Sequence, residues 1–299
     1  MIESSAKSAF RPSEIYRLVK GGLGFSILIT IVPGLLLGPE LPDTALVLST
    51  LFGTYLVAAG SFIYNQILEK ERDGLMERTR NRPLPSGRLS PALAHVLGSS
   101  CLVVGLLILA RGANPLAAAL ALASFLYYLF VYTAWLKPRT PMNTVAGGMA
   151  GAIGPLIGQA AATGRVDIHG FLMFLLLFLW QPPHFWCLAI HYRDDYAKAG
   201  FPMLPVARGI PATVRQMLFY EGLLLAVMAA AFYPLGLVGP IFFFPSIALG
   251  AIVLGFMVRL RVKPGANPMP IFFLTILHML VWHISLALDI YHRSFASLV

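Results

Sequence analysis

The stretch PALAHVLGSSCLVVGLLILARGANPLAAALALASFLYYLFVYTAWL, residues 91–136, decides the fold class. It is apolar almost throughout, and its one Lys, Arg, Asp or Glu is Arg111, beside the turn-forming GANP. Each half is about the 20 residues that a helix needs to cross a bilayer. Continuous apolar runs of this length exclude the alternating pattern of a membrane barrel, and backbone groups in lipid must be satisfied within a helix. Similar stretches recur at 22–38, 45–66, 143–162, 168–190, 213–235, 238–258 and 269–290. The reading is an all-α, polytopic membrane protein of about nine transmembrane helices around a central cavity. It forms one domain over residues 1–299, with 1–20 as an N-terminal segment. Composition agrees: 58% of the 299 residues are hydrophobic and only 12% charged, too apolar for a soluble surface.

The segment MIESSAKSAFRPSEIYRLVK (1–20) mixes Glu3 and Glu14 with its basic residues and lacks the apolar core and cleavage site of a signal peptide. Cys101 and Cys187 lie in apolar segments without CxxC spacing and are read as helix-packing residues.

The net charge of +9 would by itself invite a nucleic-acid partner. Its distribution says otherwise. All but Arg111, Arg165 and Arg293 of the 22 Lys and Arg fall in alternate connections, which places them on one side of the membrane. By the positive-inside rule that side is cytoplasmic, with the N-terminus there and the C-terminus opposite. The charge is topological and no nucleic-acid partner is expected.

Two of these connections also carry candidate chemistry. In YNQILEKERDGLMERTRNRPLPSGRLSP (64–91), Asn65, Glu69 and Asp73 recur every four residues, so a helix would set them in one stripe. Amide and carboxylate oxygens are the ligands Mg²⁺ prefers, commonly shared with substrate phosphates. Arg78, Arg80, Arg82 and Arg88 follow, with forked donors suited to phosphate. Solvation and ion pairing at a helix end account for the same residues equally well on spacing alone.

The second connection begins within LWQPPHFWCLAIHYRDDYAKAGFPMLPVARG (179–209). Pro182 and Pro183 inside an apolar span predict a broken or kinked helix beside a cavity, with Gln181, His184, Trp186 and His191 supplying polar and aromatic groups. His184 serves either that cavity or the kinked backbone. Asp194, Asp195 and Lys198 form either a second carboxylate site or ordinary interfacial ion pairs. Lys137 and Arg139, in the connection between, are further candidates for phosphate contact.

At these residues the chain resembles the UbiA superfamily of intramembrane prenyltransferases. The family's NxxxDxxxD block is matched by Asn65, Glu69 and Asp73, and MERTRNRPLPSG (76–87) is similar to its RTxxRPL block. YTAWLKPRTPMNTVAGGMAGAIGPLIG (132–158), WQPPHFWCLAI (180–190) and DDYAKAGFPMLPV (194–206) continue the similarity in order, and the last two point to the haem-modifying branch. The chain departs from the pattern in having Glu69 for Asp, and LVKGGLG (18–24) where the family has LxKPR. The resemblance implies farnesyl diphosphate and protoheme IX as substrates and Mg²⁺ as cofactor, in the bacterial cytoplasmic membrane. Haem A synthase or terminal-oxidase assembly factors would be partners. It implies catalytic roles for Asn65, Glu69, Asp73, Asp194 and Asp195, with Asn65, Glu69, Asp73 and Asp195 on the metal. Arg78, Arg82, Lys137, His184 and Lys198 would bind substrate. Prenylation of another aromatic acceptor such as a quinone precursor, transport, and non-catalytic haem binding are the alternatives.

Overall fold

A computed structural model describes residues 12–38, 40–232, 235–263 and 265–296. Glu3, Lys7 and Arg11, and the side chain of Arg293, lie outside what it describes. A short helix α1 (Pro12–Leu18) leads into α2 (Gly21–Leu35), followed by α3 (Thr44–Leu68), α4 (Lys70–Leu75), α5 (Pro91–Gly112) and α6 (Pro115–Leu126). The α6 span continues as a π-helical segment, Tyr127–Leu136. Then come α7 (Asn143–Gly151), α8 (Gly154–Thr163), α9 (Ile168–His191), α10 (Arg193–Lys198), α11 (Leu204–Ala207), α12 (Gly209–Phe232), α13 (Pro240–Val262) and α14 (Met269–Ala296). Eight apolar helices or helix pairs among the described residues are long enough to span a membrane. The ninth, α2, has 15 residues, which at 1.5 Å per residue rise about 22 Å.

Helix starts follow the side chains that precede them. Asp43 accepts from Leu46 N–H (2.7 Å) to cap α3, Ser90 caps α5 through Leu93 N–H (3.2 Å), and Asn114 caps α6 through Ala117 N–H (2.9 Å). Asn114 also donates to Ala160 O at 2.6 Å, tying α6 to α8. Pro91 and Pro115 occupy first helical positions, where no N–H is needed.

The expected break at Pro182 and Pro183 is absent, and α9 runs unbroken from Ile168 to His191. Both prolines are buried among neighbouring helices, a setting in which membrane proteins tolerate the lost backbone bonds. The irregular backbone lies elsewhere, at Ala152–Ile153 between α7 and α8 and in the π-helical 127–136. Both elements line the central cavity, as π-helical segments at functional sites often do.

Close helix approach relies on small residues. A Cβ on Gly105 of α5 would lie 2.7 Å from the Gly53 carbonyl oxygen and 2.9 Å from Val57 N, both backbone atoms of α3. Gly105→Val is expected to force α3 and α5 apart at a cost of about 1–3 kcal/mol. The thermal midpoint in detergent should fall, while Gly255→Val, at an exposed site with nothing within 4 Å, leaves it unchanged. Equal midpoints for the two variants would contradict this packing.

Candidate active site

The polar stripe survives the end of α3 because the backbone stays helical through it. Glu69 N–H donates to Asn65 O (3.0 Å) and Asp73 N–H to Glu69 O (2.8 Å), although Glu69 itself is the junction with α4. Asn65, Glu69 and Asp73 are therefore stacked, and only 2%, 6% and 2% of their surfaces are exposed. Each acid has a cation. Arg82 Nη1 lies 2.6 Å from Asp73 Oδ2, and Lys137 Nζ lies 2.5 and 2.7 Å from the two oxygens of Glu69.

Arg82 reaches inward because residues 76–89 fold over themselves. Thr79 Oγ1 donates to Asp73 O (2.8 Å), Arg82 N–H to Thr79 O (2.9 Å) and Leu89 N–H to Pro83 O (3.0 Å), over the buried anchors Met76 and Leu84. Lys137 follows the π-helical segment, where its N–H donates to Tyr132 O (2.8 Å), and its ammonium sits 4.7 Å from the Phe201 ring centroid. Burial is the largest influence on the Lys137 pKa and lowers it, but the charge and hydrogen bond of Glu69, together with Tyr132 and Tyr128, outweigh burial and raise the value above the ordinary lysine range.

Sequence reasoning missed Lys20. Its Nζ donates to Asn65 Oδ1 at 3.1 Å and lies 5.0 Å from the Phe62 ring centroid. Gln66, whose Nε2 donates to Leu18 O, fixes the segment that presents it. Lys20 is the one non-glycine residue with positive φ (49°) among those described, a strained conformation of the kind that collects at functional sites. Burial and the neighbouring Arg82 and Lys137 lower its pKa to about 7, against the pull of Glu69 and Asp73. The available signal was the lysine retained within LVKGGLG despite the lost proline and arginine.

These groups stand at one end of a cavity of about 580 Å³. Its ionisable Lys, Arg, Asp and Glu lining consists of Arg78, Arg82, Lys137 and the partly protonated Lys20 against Glu69 and Asp73, so positive charge exceeds the two carboxylates. Ile27, Val57, Phe125, Ile157 and Leu177 line its apolar part, together with Gln181 and His184. An excess of positive charge opening into an apolar chamber suits an anion carrying a hydrocarbon tail.

The second connection meets the first, though not through all the residues expected. Asp195 Oδ2 accepts from the Arg78 backbone N–H (3.1 Å), and Arg78 donates to Tyr196 Oη (3.3 Å) while lying over the Tyr192 and Tyr196 rings. It is Tyr196 that lines the cavity; Asp195 stands behind it, and Asp194, Lys198 and His191 are exposed outside. No cluster of three or more His, Cys, Asp or Glu able to hold a metal occurs among the described residues. The stripe offers two carboxylates and one amide, without a carboxylate from α10. Arg88 pairs with Glu14 (3.2 Å), Arg80 lies 3.9 Å from Glu77, and Arg139 donates to Ala134 O and Trp135 O at the end of its own helix. Trp186 is fully buried away from the cavity, and both cysteines are free thiols within helices.

Residues 27–285 match the UbiA prenyltransferase family, and the chain belongs to it. Among its relatives, a protein of Leptospira biflexa is 42% identical over 275 residues, covering 91% of this chain and 97% of the relative. One from Aquifex aeolicus is 42% identical over 267 residues, covering 88% and 90%. Both are named protoheme IX farnesyltransferase. The fold is shared with a structure of digeranylgeranylglyceryl phosphate synthase (TM-score 0.75, 18% identity, 93% of this chain and 98% of that one). It is shared too with a UbiA homologue of Archaeoglobus fulgidus bound to DMAPP and Mg²⁺ (TM-score 0.67, 15% identity, 92% and 99%).

Proposed function

We propose that the chain transfers the farnesyl group of farnesyl diphosphate to a vinyl group of protoheme IX, with addition of water, giving haem O and diphosphate. The observation that carries the reaction class is the cavity, cationic at one end and apolar beyond it. The choice of acceptor is supported by relatives of that name at about 40% identity over most of the chain.

Arg78, Arg82, Lys137 and Lys20 line the end where the diphosphate would sit, and their charge stabilises it as the carbon–oxygen bond breaks. The apolar lining keeps bulk water from the allylic cation. Asn65, Glu69 and Asp73 supply only hard oxygen donors, on one face and almost wholly buried, a set that fits Mg²⁺. Bound there, Mg²⁺ would neutralise charge on the leaving diphosphate. Asp195 supports this end by holding the backbone of Arg78. Asp194 and Lys198 are exposed on the same short helix, outside the cavity lining, and a diphosphate contact there falls to Lys198 rather than to the carboxylate. The positive-inside rule puts the charged end in the cytoplasm, in a bacterial inner membrane. Haem O would pass to haem A synthase or to oxidase assembly.

The test supplies purified protein with protoheme IX, farnesyl diphosphate and Mg²⁺ and weighs the haem product. Haem O together with equimolar diphosphate is expected. Turnover on a quinone precursor and never on protoheme would overturn the acceptor, and uptake into proteoliposomes without diphosphate release would overturn the enzyme.

A further inference from the structure

Two acceptor atoms in the apolar part of the cavity have no part in diphosphate binding. The His184 ring is stacked between Trp180 (centroids 4.5 Å apart, planes at 20°) and Phe272 (4.4 Å, 22°). Its Nδ1 lies 2.9 Å from Thr275 Oγ1. Thr275 has a single hydroxyl hydrogen, and this goes to the Phe272 carbonyl oxygen 2.7 Å away, which can only accept. For both bonds to form together, Nδ1 is the protonated nitrogen donating to Thr275, which leaves Nε2 with a bare lone pair. Nε2 makes no hydrogen bond to the described residues, and His184 lines the cavity with 7% of its surface exposed.

Gln181 lies three residues earlier on the same face of α9. Its Nε2 donates to the carbonyl oxygens of Gly148 (3.2 Å) and Leu177 (3.4 Å), which fixes the amide so that Oε1 is the acceptor. Oε1 accepts nothing from the described residues and lies against Gly151, where an added Cβ would collide with it. Gln181, 5% exposed, also lines the cavity.

Two acceptors about one turn apart on the cavity side of α9, neither with a donor among the described residues, suit a ligand that brings hydrogens, because an acceptor left unpaired once substrate fills the cavity is costly. Water has two hydrogens and is held where polar partners such as these converge. Ligation of the haem iron would use one lone pair and leave Gln181 without a role. We propose that Gln181 and His184 hold the water that adds to the substrate, with His184 as its general base. The assignment rests on the farnesyl-transfer reading. As the C1–O bond of farnesyl diphosphate breaks, its electron pair leaves with diphosphate, and the π pair of the vinyl group bonds its terminal carbon to C1. The cation remaining on the vinyl carbon beside the macrocycle takes a lone pair of the water oxygen. One water proton passes to His184 Nε2 and from there to solvent. The sum is farnesyl diphosphate, protoheme and water giving haem O, diphosphate and a proton.

The test uses the full chain in detergent with protoheme IX, farnesyl diphosphate and Mg²⁺ in ¹⁸O-labelled water. It compares His184→Gln, Gln181→Met and Gly151→Ala, whose new methyl displaces Oε1. Haem O formed per diphosphate released should fall on the order of 100-fold in His184→Gln and less in the other two. A farnesylated haem lighter by one water, formed by proton loss from carbon, should take its place, with the absorption spectrum of bound protoheme unchanged. Should His184→Gln fail to fold, the same shift in Gly151→Ala, which keeps the imidazole, carries the test. An unchanged ratio in folded variants overturns the water assignment alone. So does an altered haem spectrum with weakened haem binding in His184→Gln, which gives the ring to the iron instead. A wild-type chain that makes no haem product overturns the underlying activity and this assignment with it.

Discussion

Asp73→Asn is expected to lower haem O formation by on the order of 10³-fold, within the range seen when one preorganised electrostatic contact to a developing charge is removed. The asparagine fits the same volume and can still accept from Arg82, so the loop at 76–89 keeps its anchor. What disappears is the negative charge of the more enclosed of the two carboxylates, where 2% of the residue's surface is exposed against 6% at Glu69. Arg82 retains 22% side-chain exposure and can be hydrated when its partner is neutral, so the protein should elute as the wild type does on size exclusion. Glu71→Gln, off the stripe and exposed, serves as the control and should turn over normally. Wild-type turnover by a folded Asp73→Asn protein would remove Asp73 from the mechanism.

The parts of this fold that were legible in the sequence are those governed by local rules. Span length and apolarity located the helices. The four-residue spacing of Asn65, Glu69 and Asp73 was legible because the backbone remains helical through Glu69. Of the break or kink that the double proline predicts, the break does not occur, since a buried helix can lose two backbone donors without ending where neighbouring helices surround it. Partners across the cavity were beyond local rules. Lys20 reaches Asn65 across 45 residues and Lys137 reaches Glu69 across 68, and no periodicity encodes either pairing. Asp195 illustrates the limit on the other side. The spacing puts the DDY loop at the same end, but on so short a helix as α10 no periodicity decides that Tyr196 lines the cavity while Asp195 braces Arg78.

Lys137→Met should show whether the Glu69 pair is a structural tie as well as part of the diphosphate site. Lys137 and Glu69 have 14% and 7% side-chain exposure, so neither is well hydrated once the other is gone. Removing one partner of a buried pair costs about 3–5 kcal/mol, whereas replacing both can be nearly neutral. The thermal midpoint of Lys137→Met in detergent is therefore expected to drop steeply, and Glu69→Gln combined with Lys137→Met should recover most of the loss. Activity should not recover, because the double variant restores neutrality without restoring a cation for phosphate or a carboxylate for metal. Glu69, with Tyr132 and Tyr128, holds the Lys137 pKa above the ordinary lysine value, so the stability that Lys137 contributes through its raised pKa is complete at neutral pH and is lost on the alkaline side as the ammonium deprotonates. Stability losses that simply add in the double variant would show that the two side chains are not coupled. Recovery of turnover along with stability would show that the pair acts only as a tie, leaving Lys20, Arg78 and Arg82 as the cations that meet the diphosphate.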